Sequence, residues 1–279
     1  MEINKKIGEA LNSIKNKKPL VHHITNYVTI NDCANITLAL GGSPIMAEEK
    51  KEVEEMVSIV SALVLNIGEL SERIVESMII AGKKANELNI PVILDPVAVG
   101  ATKYRSSVIK KFIKEIKFAV IRGNVSEIKA IAGIEGKTRG VDACSEDTLS
   151  KEENLIKAKK LAEELSKKLK TVIAITGEVD IISNGDKTYF IENGTELLSK
   201  VTGTGCMCTS LIGNYCGANK NYLLGALSGV ATMGIAGEIA KENMLKKDAG
   251  IGTFKVELMD AIYKFSLKDI ENRGNIYEK

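Results

Sequence analysis

At VTGTGC (201–206) two glycines lead into a cysteine, and an uncharged, helix-like stretch follows directly. A glycine-rich turn that opens a helix leaves several backbone N–H groups unpaired and pointing one way, a setting that suits an anion such as phosphate. Gly203 and Gly205 give the backbone its freedom, and Cys206 sits beside the anion. The same helix start would lower the thiol pKa, so Cys206 reads as a nucleophile, a general base or a small buried residue. Cys208 faces elsewhere on the helix and reads as filler.

A second set comprises Asp95 in LDPVAVG and Glu127 in RGNVSE. Hard magnesium takes one or two carboxylates together with phosphate oxygens and water, so this pair could hold Mg-ATP. Otherwise Asp95 caps a turn with Pro96, and Glu127 supports the first turn of its helix. Arg122 could clamp phosphate through its planar fork or pair with a surface carboxylate. Thr176 offers a hydroxyl to phosphate or sugar, or shapes a turn. His22 and His23 are the only histidines. As strand neighbours they point to opposite faces and cannot readily share a metal, which favours structural histidines over a cleft-facing catalytic one.

These residues need a scaffold that gathers them. Short apolar runs at 20–25, 62–68, 91–97, 118–124 and 171–177 alternate with helical periodicity at 71–88, 104–115 and 151–169, the pattern of a parallel sheet with crossover helices. Asp95, Arg122–Asn124 and Thr176–Glu178 each close a strand run, and ligands of open α/β sheets collect at those carboxyl ends. Ser71 is a candidate N-cap. Residues 180–194, two strand-like runs around Asn-Gly-Asp, predict a hairpin at a sheet edge. Residues 221–237 carry no charge but fall short of a membrane span, and read as a core helix packed closely at Gly225, Gly229 and Gly234. No repeat or linker interrupts the chain, so residues 1–279 are expected to form a single α/β domain.

Composition narrows the partners. A net charge of +2 and 4% aromatic residues give no footprint for nucleic acid, and lysine clusters at 15–18 and 167–170 lie beside glutamates on helices. Five cysteines without a C-x-x-C pair suggest neither a disulfide framework nor a zinc knuckle, and fit a reducing cytoplasm. The charged N-terminus lacks the apolar core of a secretory signal, and no membrane partner is expected.

Taken together, HHITNYVTINDCANITLALGGSPIMA (22–47), LDPVAVGAT (94–102), IRGNVSEI (121–128), AITGEVD (174–180) and VTGTGC (201–206) resemble the hydroxyethylthiazole kinase family. The match runs in order over nearly the whole chain. The resemblance implies a ribokinase-like α/β fold, with a mainly parallel central sheet flanked by helices on both faces. It further implies phosphorylation of the primary alcohol of 4-methyl-5-(2-hydroxyethyl)thiazole by ATP with magnesium, in thiamine salvage. A cytoplasmic homotrimer with active sites between subunits belongs to the same expectation. Carried over residue by residue, Met46 and Gly203 fall in the thiazole pocket, with Asn26 and Gly68 nearby. Arg122, Thr176 and Gly205 contact ATP, and Asp95 and Glu127 lie around magnesium. Cys206 stands where the wider ribokinase-like group has an aspartate that takes the proton from the alcohol. A polarizable thioether such as that of Met46 suits a flat heteroaromatic ring. Two rival classes stay open from the residues alone: a cysteine hydrolase pairing Cys206 with His22 or His23, and a non-catalytic nucleotide-binding module.

Overall fold

The computed structural model describes residues 2–134 and 151–279, and Cys144 lies outside them. Strands β1 (Leu20–Ile24), β2 (Ser43–Ile45), β3 (Ala62–Asn66), β4 (Val92–Asp95), β5 (Val120–Asn124), β6 (Val172–Thr176), β7 (Asp180–Ser183), β8 (Thr188–Ile191) and β9 (Ile276–Glu278) form one sheet in the order β2-β1-β3-β4-β5-β6-β7-β8-β9. Pairings from β2 to β6 are parallel, and those from β6 to β9 are antiparallel. The five predicted parallel strands are all present. Of these, β3, β4 and β6 read as apolar runs up to their polar ends because both of their faces are buried.

Side chains alternate between two cores. Val21, Val64, Ile93, Val120, Ala174 and Ile182 face one, while Leu63, Leu65, Leu94, Ile121, Ile173 and Ile181 face the other. The first face is covered by α1 (Glu2–Lys17), α2 (Ile30–Leu40), α8 (Thr204–Ala218), α9 (Tyr222–Lys246), α10 (Ile251–Lys264) and α11 (Leu267–Arg273). The second is covered by α3 (Val53–Val57), α4 (Glu72–Glu87), α5 (Lys103–Glu115), α6 (Val125–Ile134) and α7 (Lys151–Leu169). Ser71 caps α4 as expected, its side chain accepting from the Ile74 amide.

The hairpin at β7–β8 forms, but it does not close the sheet. The C-terminal strand β9 pairs with β8 and takes the edge instead. A three-residue strand carries too little pattern to be read in advance. Helix α9 is long and apolar enough to cross a membrane, yet 78% of its most apolar window is buried inside the fold. Its glycines explain the packing: a Cβ on Gly229 would lie 2.6–2.8 Å from side-chain and backbone atoms of Ile212 on α8.

Candidate active site

The strand register lines up the polar strand ends. Asn66 pairs with Asp95, Arg122 with Ala174 and Asn124 with Thr176, so Asn66, Asp95, Arg122 and Thr176 all project from the face that α8 covers. Helix α8 runs beneath that face with its first turn under the row. Gly203, at φ +87°, occupies the N-cap position and offers no side chain to the helix amides. The first helical bond runs from the Met207 amide to the Gly203 carbonyl, and the preceding amides are the orphan donors that an anion would take up.

Cys206 sits on this turn within a small network. Asn66 Nδ2 donates to Asp95 Oδ2 at 2.9 Å and to Cys206 Sγ at 3.2 Å, and Asn26 Nδ2 approaches the same sulfur at 3.6 Å. Asn66 Oδ1 accepts from Asn26 Nδ2 at 2.9 Å and from the Gly68 amide at 2.8 Å. Because a backbone N–H can only donate, this pairing fixes the orientation of the Asn66 amide. Thr209, one turn into α8, donates to Asp95 Oδ2 at 2.9 Å. A Cβ on Gly68 would meet Asn26 and Asn66 below 3.0 Å, so that glycine is required by close approach.

Arg122 bridges the two halves of the row. Its Nη2 donates to Thr176 Oγ1 at 2.6 Å, its Nη1 lies 4.0 Å from Asp95 Oδ2, and a Cβ on Gly205 would stand 2.7 Å from Nη1. Nε is buried with no hydrogen-bond partner in the described structure. Glu127 first serves the backbone: Oε1 accepts from the Ala98 amide and Oε2 from the Asn124 amide, while Asn124 Oδ1 accepts from the Glu127 amide. That reciprocal pair is a capping arrangement for α6.

One electrostatic expectation is reversed. The helix start was expected to lower the Cys206 pKa, but burial and the nearby Asp95 carboxylate push it up, against the hydrogen bonds from Thr29, Asn66 and Asn26. Desolvation likewise raises Asp95 in spite of Arg122. The thiol is therefore mainly protonated at neutral pH.

Asn26, Gly68, Asp95, Arg122, Thr176, Gly203, Gly205 and Cys206 thus come together in one chain, with Glu127 bracing the adjoining loop. Met46 stands one strand spacing from β1, which leads to Asn26, and further from the Asn66–Cys206 network. It follows β2, the strand edging the sheet, beyond the Ile45–His22 pairing, so two strand spacings, about 10 Å, separate it from β3. Neither histidine bonds Cys206: the His22 Nε2 contact is the Ala47 carbonyl at 2.6 Å, and His23 Nδ1 contacts the Val21 carbonyl. Burial holds His23 down at about 3, so it stays neutral.

Comparison with known proteins decides among the remaining classes. Residues 11–268 match the model of the hydroxyethylthiazole kinase family. The chain belongs to this family. A hydroxyethylthiazole kinase from Alkaliphilus oremlandii is 58% identical over 278 residues, covering all of both chains. A solved structure of hydroxyethylthiazole kinase protein from Pyrococcus horikoshii OT3 is similar at 38% identity and a TM-score of 0.87, covering 99% of each chain. A ribokinase-like superfamily protein from Enterococcus faecalis, at 12% identity and TM-score 0.60, shares the fold, which is ribokinase-like in this family member too.

Four supporting groups of this network are not among the residues the sequence singles out. Asn66 ends the run ALVLN as Asp95 ends VILD, so the same signal was there without a charge to mark it. Arg105 on α5 donates to the carbonyls of Ile67, Gly68 and Val97, tying the loops after β3 and β4 together. Thr209 and Asp180 act only once α8 and β7 are in place.

Proposed function

We infer that this kinase transfers the γ-phosphoryl group of ATP to the primary alcohol of 4-methyl-5-(2-hydroxyethyl)thiazole, as a step of thiamine salvage. The observation that carries the reading is the uncapped start of α8, with Cys206 held between Asn26 and Asn66 on one side and the Arg122 fork over Gly205 on the other. The continuous sheet supports treating the chain as a single kinase domain.

Amides of the Gly203–Cys206 turn stabilise the equatorial phosphoryl oxygens, while Arg122 and Thr176 hold the nucleotide phosphates. Asn26 and Cys206 orient the attacking hydroxyl. Phosphoryl transfer passes through a loose transition state and needs little early proton removal, so a mainly protonated thiol suffices as positioner and late, weak base. The donor set suits magnesium in one manner. The described residues contain no cluster of three or more His, Cys, Asp or Glu side chains, which fits an ion that keeps water and phosphate oxygens rather than a closed protein cage. Asp95, and Glu127 through water, would hold it, and it would offset charge on the phosphates.

The position of Met46 supports a homotrimer in which this side chain completes a neighbour's thiazole pocket. Helices α2 and α10 expose Leu38, Val256 and Tyr263, apolar surface suited to burial between subunits. Cys33, Cys206, Cys208 and Cys216 are free, in keeping with a cytoplasmic setting.

Coupled ADP release with and without hydroxyethylthiazole, and with hydroxymethylpyrimidine as control, tests the activity, and no thiazole-dependent release would refute it. Light scattering should return three times the chain mass. Single-turnover rates of Cys206→Ala, Cys206→Ser and Cys206→Asp separate base from scaffold. A loss of only a few-fold in alanine supports positioning, whereas abolition in alanine with recovery in aspartate assigns a true base.

A further inference from the structure

The row on the α8 face has one more member that the reaction as described does not use. Asp180 opens β7 and, by the antiparallel register that pairs Ile175 with Ile181, stands directly opposite Thr176 on the same face as Arg122. The residue is 8% exposed. Its Oδ1 accepts the Gly177 amide at 2.9 Å, closing the turn that follows Thr176. Thr176 in turn receives Arg122 Nη2. A single carboxylate therefore braces the turn carrying one nucleotide contact and lies within the field of the other.

We propose that Asp180 is a positioning residue of the nucleotide site, setting the Thr176–Gly177 turn through the Gly177 amide and balancing the Arg122 guanidinium until phosphate replaces it. This deepens the assignment of Arg122 and Thr176 to ATP and rests on it. The groups facing Asp180 are few. Among the described residues, Arg122 on β5 is the cation that acts on it. Cys208 on α8 has its thiol pushed up to about 12 by burial and stays neutral. Helix α9 has no charged residue from Tyr222 to Gly237, and α7, on the far face, directs Glu163 to Thr188. Burial raises Asp180 to about 7, with the Gly177 amide and Arg122 opposing. At neutral pH the site can thus shed this charge when a phosphate arrives, so nucleotide binding takes up a proton and tightens as pH falls from 8 to 6.

The test compares Asp180→Asn, which keeps an acceptor for Gly177 without the charge, with Asp180→Ala, which keeps neither. Steady-state kinetics are run on the full enzyme from pH 6 to 8. For the wild type, KM for ATP is expected to rise over that range by up to about tenfold beyond the change in Asp180→Asn, which reports ATP's own titration. Asp180→Ala should raise KM for ATP by roughly tenfold at every pH, with kcat and KM for the thiazole within about threefold, and Asp180→Asn should recover most of that loss at pH 6. The proposal is overturned if both variants keep the wild-type KM for ATP and its pH profile, or if KM for both substrates rises together. Should Asp180→Ala fail to fold, the pH profile of Asp180→Asn decides alone. Arg122→Ala serves as the reference. An unchanged KM for ATP there would move the nucleotide site itself, whereas a raised one with inert Asp180 variants removes only this inference.

Discussion

Replacing Gly205 by alanine separates the stability of the fold from its chemistry. An added Cβ would stand 2.7 Å from Arg122 Nη1 and 3.4 Å from its Cζ and Nη2. Comfortable contact needs about 3.5 Å, so the guanidinium must retreat by about 0.8 Å. That displacement strains its 2.6 Å bond to Thr176 and turns the fork away from the α8 amides. A hydrogen bond from a charged donor contributes about 1.5–3 kcal/mol, which corresponds to roughly 10- to 150-fold in kcat/KM for ATP. The helix itself has nothing to lose. Gly205 lies in the first turn of α8 without a positive φ, and alanine there is favoured by up to about 1 kcal/mol over glycine. The expected result is at most a modest drop in melting temperature, because the gain of the helix only partly offsets the strained Arg122–Thr176 bond, with kcat/KM for ATP down by one to two orders of magnitude at saturating thiazole. Coupled ADP release at varied ATP, alongside thermal melts, reads both. A folded variant with wild-type kcat/KM would show that Arg122 does not serve the nucleotide, and a large loss of stability with intact kinetics would show that the backbone absorbs the clash.

Three further outcomes follow from the same geometry. Asn66→Ala strips a donor from the buried Asp95 carboxylate and from Cys206 and leaves the Asn26 amide short of a partner; urea melts should show a loss of about 2–4 kcal/mol, with kcat falling at least tenfold in the remaining folded enzyme. Gly229→Ala forces α9 off α8 at Ile212 and should cost about 1–3 kcal/mol with KM for both substrates unchanged. For Asp180, the folded value of about 7 exceeds the usual 3.8, so between those values the folded state binds the proton that the unfolded chain releases, and stability falls as pH rises from about 4 to about 7. Asp180→Asn removes that slope, and its stability advantage over wild type in urea melts should grow from pH 5 to pH 8 by a few kcal/mol at most.

What the sequence could express depended on whether each feature is local. Strands buried on both faces announce themselves as apolar runs, and a charged or hydroxyl side chain closing such a run, as at Asp95, Arg122 and Thr176, is a local event that marks the cleft. Thr209 and Asp180 carry no such mark: the first matters only because α8 packs beneath β4, the second because β7 turns back antiparallel against β6. The thiol of Cys206 shows why a local rule can also point the wrong way. A helix start favours thiolate, but the same packing that brings α8 under the sheet buries the sulfur and sets Asp95 nearby, and those two long-range effects outweigh the local one. The reversal bears on the reaction. A low-pKa thiolate would add one more negative charge to Asp95, Glu127 and Asp180, the carboxylates that already act on Arg122, whereas a protonated thiol that accepts N–H bonds from Asn26 and Asn66 adds none and leaves Arg122 and the helix amides free to favour an incoming phosphate.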